Sequence, residues 1–413
     1  MEEIKNQTTA ETVQKSVQES ATAAAPRITV RQWVAQNRTR HSLLLLGLFV
    51  LAVVVFCLAN WIAKDREFSD TENRSLAQRP AFSIAALADG SFFSEIDSWY
   101  NDQFMARDSW ISMHLWEIRR LGAKESGSVY LGRDRLFSVP ETPDEAAAMR
   151  TVEAVNAFAE KHPELAMRLM LVPGASAILK DDLPKNAPVR DQLQDIRMVR
   201  DQLSGNIVYL EAGDVLAAHA DEEIYYRTDH HWTSLGAYRV YEANAALMDL
   251  TPASFDVYTV TEDFEGTLSS RSGSHALRDS VEVYGLKDPD LKYYVTYGED
   301  SGKVCSIYKK DALEAKDKYT VFFGGNHDKV EIRTTANNGK SLLLFKDSYA
   351  NCFVQFLLPG YERIIMIDPR YYYGTLDSIL NAGVTDVLFL YSADTFVKDT
   401  SLADVLGAQL DPA

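Results

Sequence analysis

Two short stretches of this 413-residue sequence carry residue types and spacings suited to nucleophile–base chemistry. The first is Tyr225-Tyr226-Arg227-Thr228-Asp229-His230-His231-Trp232-Thr233. Asp229 and His231 are two positions apart, so in extended chain they project to one side and His230 to the other. A carboxylate placed there can bond one imidazole nitrogen and leave the other available as a base. The same string also reads as a buried polar turn that caps a following helix through Thr233 or Ser234. A zinc site is the third reading, but zinc needs three or four ligands. His219, His275 and His327 form no recognisable second motif, so a base is favoured over a metal.

The second stretch is Leu342-Leu343-Leu344-Phe345-Lys346-Asp347-Ser348-Tyr349-Ala350-Asn351. An apolar strand ends at Phe345, and the chain turns at Asp347-Ser348 into a predicted helix. Ser348 would stand where free backbone N–H groups and the helix dipole stabilise an oxyanion. The alternative is that Asp347 or Ser348 is an N-cap and nothing more. Two further segments follow predicted strands. In Gly324-Gly325-Asn326-His327 the glycines let backbone approach a ligand, and Asn326 can donate to an oxyanion, although a plain turn reads equally well. In Asp368-Pro369-Arg370, Arg370 can bind an anion or pair with a carboxylate.

The elements that must position these residues alternate along the chain. A helix is expected over residues 144–160, then the strand Leu169-Met170-Leu171-Val172. Ile207-Val208-Tyr209-Leu210 is a further strand, and residues 234–247 a helix. Residues 255–300, rich in Thr, Val, Tyr, Ser and Gly, suggest inserted β-hairpins. Strands resume at residues 319–323, 342–345, 363–367 and 386–390, with helical patterns between the later ones. Short apolar strands alternating with helices predict an α/β sandwich around a parallel sheet covered on both faces. In such sheets ligands sit beyond the carboxyl ends of the strands. Upstream, residues 64–90 read as an irregular connector. Residues 91–121 read as one or two amphipathic helices whose spaced aromatics (Phe92, Phe93, Trp99, Tyr100, Phe104, Trp110, Trp116) belong to a core.

Composition bounds the rest. With 42 basic and 59 acidic side chains the net charge is −17, which argues against nonspecific nucleic-acid binding. Three cysteines exclude a disulfide-stapled mini-fold; Cys305 and Cys352 could pair. Residues 42–63 carry no charge, and twenty of them make a helix of about 30 Å, one hydrocarbon core thick. Arg27, Arg31, Arg38 and Arg40 precede the segment, and acidic residues follow it soon after. The bias puts a disordered cytoplasmic tail at 1–41, a single transmembrane helix at 42–63 and everything later outside the cell. About forty residues before the apolar stretch argue against a cleaved signal peptide. The organisation expected beyond the span is a connector and helical part at 64–143 and a catalytic domain at 144–413, with the β-rich insertion at about 255–300.

The string TDHHWTSLGAY at 228–238 resembles the signature of the DHHW proteins, relatives of the alginate O-acetyltransferases. Supporting matches are ENR at 72–74, YLGRDRLF at 130–137, LVPGA at 171–175, DFEGT at 263–267, GGN at 324–326 and KDSY at 346–349. The resemblance implies an SGNH-hydrolase-like, flavodoxin-like sandwich in permuted order, the Asp-x-His element preceding the serine. It also implies a catalytic triad of Ser348, His231 and Asp229. Gly325, Asn326, Arg370, Tyr349 and Trp232 are then candidates for oxyanion or substrate binding, with no metal and no cofactor. The serine block reads KDS where the family has a GDS-like block, and YSADTF at 391–396 lacks an asparagine. The expected activity is O-acetyl transfer to a cell-surface polysaccharide or exopolysaccharide, with a polytopic membrane-bound O-acyltransferase as acetyl donor. A carbohydrate acetylesterase using the same triad, and a non-catalytic glycan-binding or assembly protein, are the alternatives.

Overall fold

The structure, a computed structural model, describes residues 29–31, 38–69, 71–298 and 302–410. Most of the tail expected to be disordered lies outside them. The described residues divide into two compact units. One is made by the residues up to Arg66 with Ala77–Met105, the other by Glu67–Leu76 and the chain from Ala106 on.

The first unit contains the helix Arg38–Ile62. It is the one helix among the described residues that is long and apolar enough to cross a membrane. The segment read as an irregular connector contributes a second, short helix, Ile84–Asp89, capped by Ser83, whose hydroxyl accepts from Ala86 N–H. The helix Ser91–Gln103 follows. The expectation that the aromatics of residues 91–121 are core holds for Trp99 but not for Phe93, Trp110 or Trp116, which are exposed.

The second unit is built on a seven-stranded mixed sheet: β1 (Ala166–Val172), β2 (Ile207–Tyr209), β3 (Tyr293–Tyr297), β4 (Lys329–Thr334), β5 (Ser341–Lys346), β6 (Arg363–Ile367) and β7 (Asp386–Ser392). Their order across the sheet is β3-β4-β6-β5-β7-β1-β2. The five strands from β6 to β2 are mutually parallel, while β3 and β4 pair antiparallel at one edge. The wholly parallel sheet read from the sequence is therefore corrected at that edge. Residues 319–323, expected as a strand, contain the 3-10 turn Lys318–Val321 instead. The strand role passes to β4, whose alternating Lys-Val-Glu-Ile-Arg-Thr has no continuous apolar run to announce it.

Both faces of the sheet are covered, which is why the parallel strands are largely apolar. In β5, Leu342 and Leu344 enter one core with Ala237, Val240 and Tyr241 of the helix Ser234–Asn244. Leu343 and Phe345 point to the opposite core, with Val152, Val155 and Phe158 of the helix Glu145–Lys161 and Leu402 and Leu406 of Ser401–Leu410. Asp144 caps its helix by accepting from Ala147 N–H, and Thr233 caps the other by accepting from Gly236 N–H. The predicted insertion is a bulged hairpin of Phe255–Phe264 with Asp279–Leu286, followed by β3. Cys305 is exposed, Cys352 is buried, and both are free thiols.

Candidate active site

The carboxyl ends of β1, β5, β6 and β7 meet at a cavity of about 300 Å³. Gly174 follows β1, Ser348 follows β5, Arg370 follows β6, and Ser392 and Asp394 lie at the end of β7; all of them line it. Asp347 fastens the turn that carries Ser348. One of its carboxylate oxygens accepts from Tyr349 N–H at 2.9 Å and the other from Ser392 N–H at 2.9 Å, tying the ends of β5 and β7 together. The helix expected after Ser348 is only one turn, Ala350–Phe353, and carries no side-chain cap. Its dipole is correspondingly small. The Ser348 N–H has no acceptor among the described residues.

The Asp-His segment approaches from outside the sheet. Residues 224–233 form a tight loop closed by Thr233 N–H to Ile224 C=O and Tyr226 N–H to His231 C=O. Because the loop is bent rather than extended, the alternation expected for His230 fails. Asp229 Oδ1 accepts from the His231 backbone N–H at 3.0 Å and bonds His231 Nδ1 at 2.6 Å. The His230 and His231 rings lie side by side, centroids 3.9 Å apart, and His230 also lines the cavity. His231 Nε2 stands 2.8 Å from Ser348 Oγ, across 117 positions of chain. Asp229, His231 and Ser348 thus form one continuous hydrogen-bonded chain. Asp229 and His231 are buried, and Ser348 is partly open to the cavity.

Residues that sequence reasoning did not single out complete the arrangement. Thr267 donates to Asp229 Oδ2 from its backbone N–H and its hydroxyl, each at 2.9 Å. Thr228 is held by Asp279, whose Oδ2 accepts from its N–H at 2.8 Å and its hydroxyl at 2.5 Å, and Thr228 Oγ1 accepts from Gly266 N–H. Gly266 and Thr267 lie between the strands of the bulged hairpin, so the insertion supplies the second half of the Asp229 site. The only signal for them was the DFEGT string. Tyr319 stacks on the His231 ring at 3.9 Å, 11° from parallel, and its hydroxyl donates to Ser348 C=O at 2.9 Å. Burial alone would raise the Asp229 carboxyl. The two histidine rings and the donors on its oxygens hold it well below the usual carboxylate range.

The other expected site residues divide. Tyr349 and Arg370 line the cavity, and Arg370 is gripped by Asp368 through two bonds of 2.8 and 2.7 Å. Trp232, expected to touch substrate, is corrected to a buried tie: its indole N–H donates to Tyr349 C=O at 2.9 Å and it does not line the cavity. That bond joins the Asp-His loop directly to the serine turn. Gly325 and Asn326 do not line the cavity either. Asn326 Oδ1 accepts from Lys346 Nζ at 2.9 Å and from Asn351 Nδ2 at 3.1 Å. Burial pushes the Lys346 ammonium down to about 8, against the attraction of Asp368.

Asp229, His230 and His231 are also the one cluster of metal-ligand types among the described residues, with ligand atoms within 4.8 Å of one another. Both ring nitrogens of His231 are already engaged, with Asp229 and Ser348, and His230 Nδ1 bonds Thr267 Oγ1 at 2.8 Å. The donor set fits a proton relay better than a metal, which would need four ligands or three and a water.

Residues 122–367, more than half of the chain, match the family model for DHHW proteins. The chain belongs to that family. A DHHW family protein from Eubacterium siraeum DSM 15702 has the same fold, with a TM-score of 0.57 and 26% identity over 68% of this chain and 95% of that one. Bacillus cereus PatB1, solved with a sulfonyl adduct, superposes with a TM-score of 0.56 at 17% identity, over 66% of this chain and 97% of its own. The O-acetyltransferase domain of Pseudomonas putida AlgJ follows at a TM-score of 0.43 and 16% identity, covering 68% of this chain and 99% of that domain. Comparison with curated proteins gives no match.

Proposed function

We propose that this DHHW protein is a serine acyltransferase that moves an acetyl group onto a hydroxyl of a polysaccharide outside the membrane. The observation that carries the proposal is the unbroken chain from Asp229 through His231 to Ser348. His231 Nε2 takes the Ser348 proton as Oγ attacks the acetyl carbonyl, and Asp229 holds the ring and stabilises its charged form. Collapse of the tetrahedral intermediate expels the donor's leaving group with that proton and leaves an acetyl ester on Ser348. A sugar hydroxyl then attacks the ester, giving its proton to His231, and Ser348 Oγ departs with it. Asp229 stays ionised throughout. The Ser348 N–H and the Arg370 guanidinium are the proposed partners of the developing oxyanion.

Several features support this reading. Counted from β5, the five parallel strands read 2-1-3-4-5 across the sheet, the doubly wound flavodoxin-like order. Ligands in that order bind between the carboxyl ends of the first and third strands, here β5 and β7, where Ser348 and Ser392 both line the cavity. A permuted SGNH-like domain has this arrangement. The cavity is rich in hydroxyls (Ser138, Ser176, Thr267, Ser392, Thr395), a lining suited to a polyhydroxylated acceptor. The helix Arg38–Ile62 anchors the chain, with its arginine-bearing side in the cytoplasm, which separates the site from cytoplasmic acetyl donors. A polytopic acyltransferase partner would bridge that gap.

The test is incubation of the full chain in detergent with a chromogenic acetate ester, with and without an oligosaccharide acceptor. Acetylated sugar that disappears with Ser348→Ala supports transfer. Acetate release unchanged by acceptor makes the protein an esterase, and no Ser348-dependent turnover of either kind ends the catalytic reading.

A further inference from the structure

The membrane-proximal unit carries an apolar surface that its own core does not use. Its contacts with the helix Arg38–Ile62 fall on that helix's last two turns. Phe56 stacks on Phe104 with centroids 6.3 Å apart, and Asn60 Oδ1 accepts from Met105 N–H at 2.7 Å. Trp61 meets Trp99 edge to face at 6.2 Å. Arg79 Nη2 donates to Trp61 C=O at 3.0 Å, its guanidinium 5.1 Å from the Trp61 ring and 4.8 Å from Trp99. At 1.5 Å per residue, Phe56 lies about 9 Å from the end of the helix at Ile62. The level marked by Trp61, Trp99 and Arg79 has the mixture of amphipathic rings and an arginine found where hydrocarbon gives way to headgroups.

Immediately after Arg79, residues 80–88 (PAFSIAALA) carry no charge. The helix Ile84–Asp89, which begins among them, has no buried residue. Phe82 is 66% exposed and Ile84 78%, and Phe93 just beyond is 63% exposed. Three large apolar side chains left open within a dozen positions make a patch that a soluble protein covers. On the helix Ser91–Gln103, Glu95 stands two positions from Phe93 and so faces away from it, exposed to solvent.

We propose that residues 80–88, with Phe93, are embedded in the interfacial layer of the bilayer beside the exit of the span, as a second, monotopic membrane contact. The occupant is lipid because the patch starts at the level where the span itself leaves the hydrocarbon. Residues 80–98 contain no Lys or Arg, so zwitterionic headgroups suffice and anionic ones gain nothing. The contact fixes the unit flat against the membrane rather than letting it swing on a single helix. The inference rests on the reading of Arg38–Ile62 as a span.

The experiment uses the full chain with Ile84→Cys in a Cys57→Ala/Cys305→Ser background, labelled with an environment-sensitive fluorophore and reconstituted in phosphatidylcholine vesicles. Glu95→Cys in the same background is the control. Lipids carrying a nitroxide high on the acyl chain should quench the label at position 84 at least twofold and leave position 95 unquenched. If the chain survives alkaline extraction but the label at 84 stays water-exposed, or if 84 and 95 are quenched alike, the interfacial contact is wrong while the span stands. If alkaline extraction releases the chain, the span is wrong and this inference falls with it.

Discussion

A Cβ placed on Gly266 would lie 2.3 Å from Asp229 Cβ and 2.6 Å from its Oδ2. The backbone at Gly266 is extended, with φ −84°, so the glycine is there for space and not for conformation. Gly266→Ala must therefore displace Asp229 or the loop carrying Thr267. Forcing a methyl into such a contact costs typically about 1–3 kcal/mol, and here the movement also reaches the His231–Ser348 bond. The expected result is a loss of at least about tenfold in kcat for ester turnover together with a lowered unfolding midpoint. Unchanged activity would show that Asp229 does not orient His231.

Ser348→Ala, His231→Ala and the double variant should be equally inactive. Members of one proton relay act as a unit, and losses of about 10³- to 10⁶-fold in kcat do not add. Ester hydrolysis by the purified variants measures this, with circular dichroism to confirm the fold. Losses that multiply in the double variant would mean that the two side chains work independently.

Tyr319→Phe separates stacking from hydrogen bonding beside the same histidine. The ring keeps its contact with His231, while Ser348 C=O loses the donor 2.9 Å away. A buried acceptor left unsatisfied costs about 1–3 kcal/mol. The variant should be less stable by that order yet keep most of its kcat, because no reacting atom is touched. Loss of activity with no loss of stability would instead implicate the hydroxyl in the chemistry.

The contrast between Asp229 and Thr267 shows what the sequence could reveal. The Asp-x-His spacing and the serine after an apolar strand are local patterns, and the strand before Ser348 is marked by a continuous apolar run of the kind a doubly covered parallel strand requires. Thr267 and Tyr319 reach the same site through a hairpin loop and a 3-10 turn, whose residues carry no periodicity. Trp232 sat in the signature string and so looked functional, yet its role is to fix the distance between two loops. β4 was missed because an antiparallel strand with one polar face resembles any polar loop. His230 was misplaced because the loop bends, so the two-residue alternation of extended chain does not apply.

Asp317 provides a pH test. Burial, with the charge of Asp229 nearby, pushes its carboxyl from 3.8 to about 6. The folded protein therefore holds a proton that the unfolded chain releases near pH 4. The stabilisation it gives is complete below that value and is lost as pH rises through about 6. A shift of this size corresponds to at most about 3 kcal/mol. Asp317→Asn keeps an acceptor for Tyr319 N–H, now bonded at 3.2 Å to the carboxylate, but cannot ionise. Urea unfolding of the full chain at pH 4 and pH 7 should show the variant gaining on the wild type at the higher pH. Parallel stabilities at the two values would place Asp317 in contact with water and remove it from the electrostatics of His231.

Metal dependence is the remaining discriminator between a relay and a lytic metal centre. For Asp229, His230 and His231 to hold zinc, His231 would have to give up its bond to Asp229 or to Ser348. Either exchange breaks the chain from Asp229 to Ser348, so a metal should inhibit. Prolonged dialysis against a chelator is expected to leave the ester turnover of the full chain unchanged, and micromolar zinc to depress it. Activity abolished by the chelator and restored by zinc would assign the cluster to metal binding and leave Ser348 without its partner.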